Sequence, residues 1–568
     1  MSHNIEEQIT LRLINACLRE DVRNLVSNGK IQEQQGCAWL LVSHLATPIR
    51  LLVTQARYLQ PWQCVAPQWQ ILKQGTWIDQ SGAHNWLNNL AEGLPEEDHA
   101  LFVQYAKEVD VAIEHGALCR QARLRHAPQF TQQGWPRCWP QRLLHADQAA
   151  SYLDHPYYPT ARAKFGLDAE ELQRYCPEFS PQFQLNWIAL PRDGLRLNGA
   201  APGWWPTMQT LDLPKHLEHS HIALPVHPTM YCQLLERLPQ AIAAPRAHLA
   251  VQPTLSVRTV AVVNHPAHHI KLPMPMATLG QKNLRMIKPS TLQDGHWFAH
   301  NLRLIEQNDP ALGGTYRHCD ESFSACYQTR NDTAFLVRQY PELEATETLA
   351  TVASLCSPMP NGRPYIATWL ELHHLDLSEW WTSYCKSLIH VHLRLWVQYG
   401  IALEANQQNS VLSLRAEHPV SLVMKDNDAA RLWPARFGRN APPCALPTTL
   451  IEDERICVAD ETPLAHMFIT IILQLNMLAV LDGLDRCGAL SWDAGLQAIH
   501  RQIRSTLDEL RQEGHDTTLA RELLLYDRQH PVKYLLQSAS LMSKSKSGAT
   551  DVNKFYGLTG PNPLRDLS

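Results

Sequence analysis

The chain lacks most of the short signatures that announce a function. It has no C-x-x-C pair: its 14 cysteines lie singly between Cys17 and Cys487. That spacing argues for reduced thiols and against a disulfide framework or a zinc ribbon. Closely spaced cysteines are also what an iron–sulfur cluster requires, so no ferric-reductase-like cluster region is expected at the C-terminal end. A Walker P-loop, a G-x-G-x-x-G turn, an H-E-x-x-H helix and an internal repeat are likewise missing, which disfavours P-loop, Rossmann and zincin readings. Charge is scarce, with 18% Asp, Glu, Lys and Arg and a formal net charge of -5. A general nucleic-acid binder carries a basic stripe instead, so no nucleic-acid partner is expected. No long uninterrupted apolar run occurs. Met467–Leu484 comes nearest, but Thr470, Gln474, Asn476 and Asp482 break it, which predicts a buried helix and no membrane association. The opening MSHNIEEQIT has no basic segment leading into an apolar one, so the expectation is a cytoplasmic protein without a secretory signal.

What is present is apolar bulk. Hydrophobic residues make up 45% of 568, enough for two to four packed lobes. Ile5, Ile9, Leu13, Cys17 and Leu18 recur at helical spacing before Gly29, and a second helical pattern runs from about Glu97 to about Arg125. Residues 1–145 therefore read as a helical N-terminal lobe.

Four stretches carry chemistry. Leu255–Val263 and His269–Met274 read as two strands joined by a turn at Asn264–Pro266, which sets Ser256 and Arg258 on one face with Thr259 beside them. Pairing of those strands brings Lys271 to the same rim, and Arg285 adds a second guanidinium. Forked donors, a point charge and hydroxyls suit a polyphosphate or polycarboxylate; ordinary surface cations on a sheet give the same pattern. Asp154–Leu167 holds two X-Pro steps, then Arg162 and Lys164, and reads as a rigid loop. His219, His221 and His227 invite a zinc reading, against which stands the lack of a cysteine partner. In the fourth stretch, Glu404, Asn406 and Asn409 sit in one loop, and the strand Val420–Met424 ends in Lys425–Asp426. Those oxygens suit Mg²⁺, which takes one or two carboxylates and completes its shell from water and phosphate; a solvated loop is the bland alternative.

Ser-Val-Arg-Thr, Ile-Lys-Leu-Pro, Leu-Arg-Met-Ile-Lys-Pro and Glu-Ala-x-x-Gln-Asn, in that order, resemble the motifs of the aerobactin-synthetase (IucA/IucC-like) family. These are siderophore synthetases that work without a peptide-synthetase assembly line. The resemblance covers roughly residues 145–565. It implies an α/β (α+β) fold of three lobes arranged as a cupped hand: 1–145 helical, 146–360 built on an antiparallel sheet and binding ATP, 361–568 mainly helical and binding Mg²⁺ and substrate. It implies ATP contacts at His155, Arg162, Lys164, Ser256, Arg258, Thr259, Lys271 and Arg285, metal ligands at Glu404, Asn409 and Asp426, and substrate contacts at Thr278, Arg285, Asn406 and Lys544. Arg285, Glu404 and Asn406 fall to catalysis, and a homodimer is the family expectation. The implied reaction is adenylation of a small carboxylate, citrate or 2-oxoglutarate or a conjugate, and its condensation with an amine or alcohol. Two departures stand out: Tyr158 and Asn406 occupy positions where relatives have His. They keep open a catalytically weakened partner subunit, beside a small-molecule phosphotransferase as the other alternative.

Overall fold

The computed structural model describes residues 4–131, 134–344, 346–415, 420–427, 429–543, 546 and 556–567. The first helix, Ile5–Arg19, opens with a capping box between Asn4 and Glu7 and buries Ile9, Leu13, Ile14 and Cys17. The N-terminal lobe is not purely helical as expected. Between that helix and the long helix Glu96–His126 lies a six-stranded antiparallel sheet built from Lys30–Gln34, Cys37–Val42, Ile49–Gln55, Trp62–Cys64, Gln68–Lys73 and Thr76–Ser81. One face of this sheet packs on the helices through Leu40, Val42, Ile49, Leu51, Val53, Trp69 and Ile71, while alternate residues stay half-exposed.

The middle of the chain forms a nine-stranded sheet whose neighbours all pair antiparallel. Its centre is the run His248–Pro253, Thr259–Val262, His265–Lys271 and Phe335–Gln339. The expected hairpin exists with shorter strands: Leu255–Arg258 is a turn, and Thr259 stands opposite Lys271. A four-stranded sheet, Tyr316–His318, Ser421–Met424, Ser410–Leu414 and Thr348–Thr351, sits in a largely helical surround that includes Leu377–Val397 and Trp492–Gln512.

The three largest hydrophobic cores among the described residues follow these units, but the chain crosses between them. The boundary expected at 145/146 falls inside the helix Trp139–Ser151, and Trp297, Phe298, Leu302 and Tyr316 pack with the C-terminal helices. Thr462–Arg486 is long and apolar enough to cross a membrane by composition alone; 89% of its most apolar window is buried inside the protein, as expected of a core helix. The C-terminal region expected to be helical instead contains the strand Gln529–Lys533, paired with Tyr556–Pro561.

Gly166 brings the loop after His155 against the segment that carries Arg285. Its φ is +88°, and a Cβ there lies 2.3 Å from the Pro275 carbonyl oxygen. Phe165 and Ala277 bond each other through their main chains on either side. Gly166→Ala is expected to destabilise the protein by more than about 1 kcal/mol in thermal unfolding, because L-residues resist that conformation. Gly203→Ala, where no atom lies within 4 Å, is the control and leaves the unfolding temperature unchanged.

Candidate active site

The turn Leu255–Arg258 is held from both sides. Val257 has a φ of 65°, a costly conformation for a β-branched residue. The bonds that impose it are Val257 N–H to Thr254 O (2.9 Å), Thr254 Oγ1 to Thr259 O (2.8 Å) and Thr259 N–H to Ser256 Oγ (3.2 Å). Asp147, from the helix Trp139–Ser151, accepts the Leu255 N–H at 3.1 Å. Ser256, Arg258 and Thr259 are therefore grouped by a tight turn, not by strand alternation. Arg258 donates from Nη1 to Met286 O at 2.9 Å, reaching towards the segment that carries Arg285.

That segment is an irregular hairpin: Met274 N–H bonds Arg285 O (3.1 Å) and Arg285 N–H bonds Met276 O (2.9 Å). It places Arg285 Nε 2.7 Å from Thr278 Oγ1. Burial and then Arg258 press the Arg285 pKa down to about 10, while Glu404 and Asp426 hold it up. Arg285 thus stays charged at neutral pH and lies in the field of both carboxylates.

Asp426 lies two residues past the strand Ser421–Met424 and has a φ of 65°. Glu321 Oε1 accepts its N–H at 3.0 Å and also pairs with Arg338 Nε. The Asp426 carboxylate bonds Lys271 Nζ and lies 3.3 Å from Arg338 Nη2, both through Oδ1. Burial alone raises its pKa, but Lys271 and then Arg338 outweigh burial and hold it well below the usual carboxylate range. Lys271 is 2% exposed. The hairpin cation and the late-loop carboxylate therefore meet directly.

In the preceding loop, Asn406 Oδ1 accepts the N–H groups of Gln408 and Asn409 at 3.0 Å each, an Asx turn. Asn409 Nδ2 donates to Glu404 O at 3.0 Å, and Asn476 Nδ2 donates to Ala405 O at 3.0 Å. Asn406 shapes the loop, and Glu404 faces Lys533, whose Nζ lies 3.8 Å from Oε1. His155 closes the circuit. Its Nδ1 accepts the N–H of Tyr157 and of Tyr158 at 3.2 Å each. Burial, then Arg12, Lys533 and Arg19, push its pKa down to about 3. The imidazole is neutral with its proton on Nε2, so it donates there and does not act as a base.

Arg162 and Lys164 are engaged elsewhere. Arg162 pairs with Asp154 at 2.8 Å and Glu178 at 3.2 Å, and Lys164 pairs with Glu178. Through Asp154, the residue before His155, Arg162 ties the His155 loop to Glu178. The Tyr158 hydroxyl bonds Glu108 at 2.8 Å inside the N-terminal core. Lys544 lies outside the described residues, and Lys546 pairs with Asp98. Lys533 carries no signal in the sequence, because its segment reads as helix; it ends the strand Gln529–Lys533 beside Glu404. His227 caps the helix Pro228–Arg237 through Nδ1, and no group of three His, Cys, Asp or Glu among the described residues is arranged to hold a metal.

Comparison with known proteins shows what the chain is similar to. Residues 142–357 match the profile of the IucA / IucC family, and residues 378–546 match that of the ferric iron reductase FhuF-like transporter. The second match corrects the expectation that no such region is present; its cysteines, Cys385, Cys444, Cys457 and Cys487, remain widely spaced. Staphyloferrin B synthase of Staphylococcus aureus is 22% identical over 99% of this chain and 98% of its own length. The petrobactin biosynthesis protein AsbB of Bacillus anthracis superposes with a TM-score of 0.77 at 15% identity, covering 99% of this chain and 95% of that one. The ATP-bound aerobactin synthetase IucA of Klebsiella pneumoniae gives 0.69 at 16% identity, covering 100% of both. At those identities the two structures establish the shared fold.

Asp426→Asn leaves Lys271 and Arg338 buried without their shared carboxylate and is expected to lower stability at pH 7 by about 3 kcal/mol in denaturant unfolding. Because the folded pKa of Asp426 lies below its unfolded value, its contribution is complete above about pH 4 and fades as pH falls towards the folded value. The variant accordingly loses less stability than the wild type between pH 5 and the acid transition, roughly the interval over which the wild-type carboxylate is protonated.

Proposed function

We propose, from the match of residues 142–357 to the profile of the IucA / IucC family, that the chain is an ATP-dependent siderophore synthetase that condenses a small carboxylic acid with an amine or alcohol. The observation that carries the reading is the junction of Lys271 with Asp426, with Arg285 held in the field of Asp426 and Glu404. It supports a shared place for phosphate-binding donors and hard oxygen ligands.

In this reading the substrate carboxylate attacks the α-phosphorus of ATP and expels pyrophosphate, forming an acyl-adenylate. The amine or hydroxyl then attacks the acyl carbon, AMP departs with the former carboxylate oxygen, and the nucleophile loses its proton. Lys271, Arg258, Arg285 and the Nε2–H of His155 neutralise and orient the phosphates, which suits a reaction in which positioned charge does most of the work. Ser256 and Thr259 line the same turn. Lys533 and Arg285 bracket Glu404 and suit the substrate carboxylate, with Thr278 holding the Arg285 guanidinium. Glu404 is the group placed to accept the nucleophile's proton. The oxygens of Glu404, Asp426 and Asn409 fit Mg²⁺, since the Nδ2 bond of Asn409 leaves its Oδ1 for ligation and both contacts of Asp426 fall on one oxygen. Bound there, Mg²⁺ supplies charge neutralisation at the phosphates. A cytoplasmic site and a homodimer complete the reading.

Incubation with ATP, Mg²⁺ and a matrix of carboxylates against amines and alcohols is expected to yield AMP, pyrophosphate and an amide or ester, read by mass spectrometry. ADP with a phosphorylated small molecule favours a phosphotransferase; no ATP consumption across the matrix favours a partner subunit. Arg285→Ala is expected to lower kcat/KM by about 10²-fold, on the order of 3 kcal/mol. Lys533→Ala is expected to raise KM for the carboxylate about tenfold with KM for ATP little changed.

A further inference from the structure

The first helix, Ile5–Arg19, and the residue after it carry three charged side chains into the interior. Each is bonded to main chain beside the site. Arg12 Nη2 donates to His155 O at 2.6 Å and to Tyr158 O at 2.7 Å, and Nε donates to Pro159 O at 3.4 Å. Arg19 Nη2 donates to Tyr157 O at 2.6 Å, and its guanidinium lies over the Tyr157 ring, 5.3 Å from the centroid. Together these bonds take up the carbonyls of the His155 loop, whose own N–H groups turn inward to His155 Nδ1.

Glu20, 1% exposed, works on the other side. Its Oε1 accepts the N–H of Leu535 and of Leu536 at 2.8 Å each, and its Oε2 accepts that of Gln537 at 2.7 Å. Gln537 returns a bond from its side chain to Glu20 O. These amides follow directly on Lys533, whose ammonium lies 3.8 Å from Glu404. Buried charges are expensive, and packing alone is served by the apolar face of Ile9, Leu13, Ile14 and Cys17. Three charges on this helix and its C-cap, Arg19 and Glu20 buried and Arg12 half-buried, all bonded to the two segments that carry His155 and Lys533, mark a device for placing those segments.

We propose that Arg12 and Glu20 are positioning residues, through which the N-terminal lobe sets two sides of the active site separately: Arg12 places His155 against the nucleotide, and Glu20 places Lys533 against the carboxylate. The inference rests on the synthetase reading of the site. It predicts that damage to one anchor is felt by one substrate only, whereas a helix that merely stabilises the lobe affects both alike.

The test compares Arg12→Met and Glu20→Gln in the full-length protein, with amide hydrogen exchange as the readout independent of activity. Arg12→Met is expected to speed exchange at Tyr157 and Tyr158 and to leave Leu535, Leu536 and Gln537 unchanged; Glu20→Gln is expected to do the reverse. In steady state with ATP, citrate and an accepted amine, Arg12→Met raises KM for ATP about tenfold and Glu20→Gln raises KM for citrate about tenfold, each with the other KM within about twofold. Arg12→Lys, which keeps one donor, restores part of the ATP effect. The proposal is overturned if either variant moves both KM values together, or if exchange rises at both segments in either variant. A wild-type chain that turns over no carboxylate sinks the synthetase reading instead, and the exchange pattern alone then decides whether the anchors act separately.

Discussion

The structure depends most on a buried charge quartet. Lys271 and Asp426 bond each other, Arg338 lies against Asp426 and pairs with Glu321, and Glu321 accepts the Asp426 N–H. Two positive and two negative charges alternate, so none is left uncompensated in a low-dielectric interior. The quartet joins the nine-stranded sheet, which carries Lys271 and Arg338, to the four-stranded sheet, whose strand Ser421–Met424 leads into Asp426. It also imposes the left-handed conformation of Asp426, which few residues other than glycine adopt without such support.

That junction gives the site its character. Burial, and after it the neighbouring Arg258, lowers the pKa of Arg285. Glu404 and Asp426 act the other way and hold the Arg285 guanidinium charged. His155 is kept neutral by burial and by the cations around it, so it adds a directed donor without adding a proton acceptor. A site of this kind suits reactions governed by charge placement more than by proton transfer. The N-terminal helix completes it from outside by gripping main chain on both flanks.

The residues of the candidate site stand out in the sequence, and their local geometry does not. Lys271, Arg285, Glu404 and Asp426 stand out because hydroxyls, amides and charges gather near them in a mostly apolar chain. Ser256 and Arg258 read as strand because Val257 between them favours strands; its left-handed turn is imposed by Thr254, Thr259 and Asp147, partners that no local pattern reveals. The N-terminal sheet escaped notice because strands such as Lys30–Gln34 and Thr76–Ser81 are mostly exposed and lack clear alternation. Lys533 was hidden by distance: its strand pairs with Tyr556–Pro561 and its neighbours are held by Glu20, at the opposite end of the chain. Arg162 and Lys164 were read from motif and charge alone, and the carboxylates that hold them, Asp154 and Glu178, become visible only in three dimensions.

The central claim is that hairpin cations and late-loop carboxylates act on one α-phosphorus under attack by a carboxylate. Following ¹⁸O from a labelled substrate carboxylate tests it most directly. Transfer of label into the phosphate of AMP is the predicted result, because the attacking oxygen leaves with the nucleotide. Label in inorganic phosphate, or AMP free of label while product accumulates, contradicts the account.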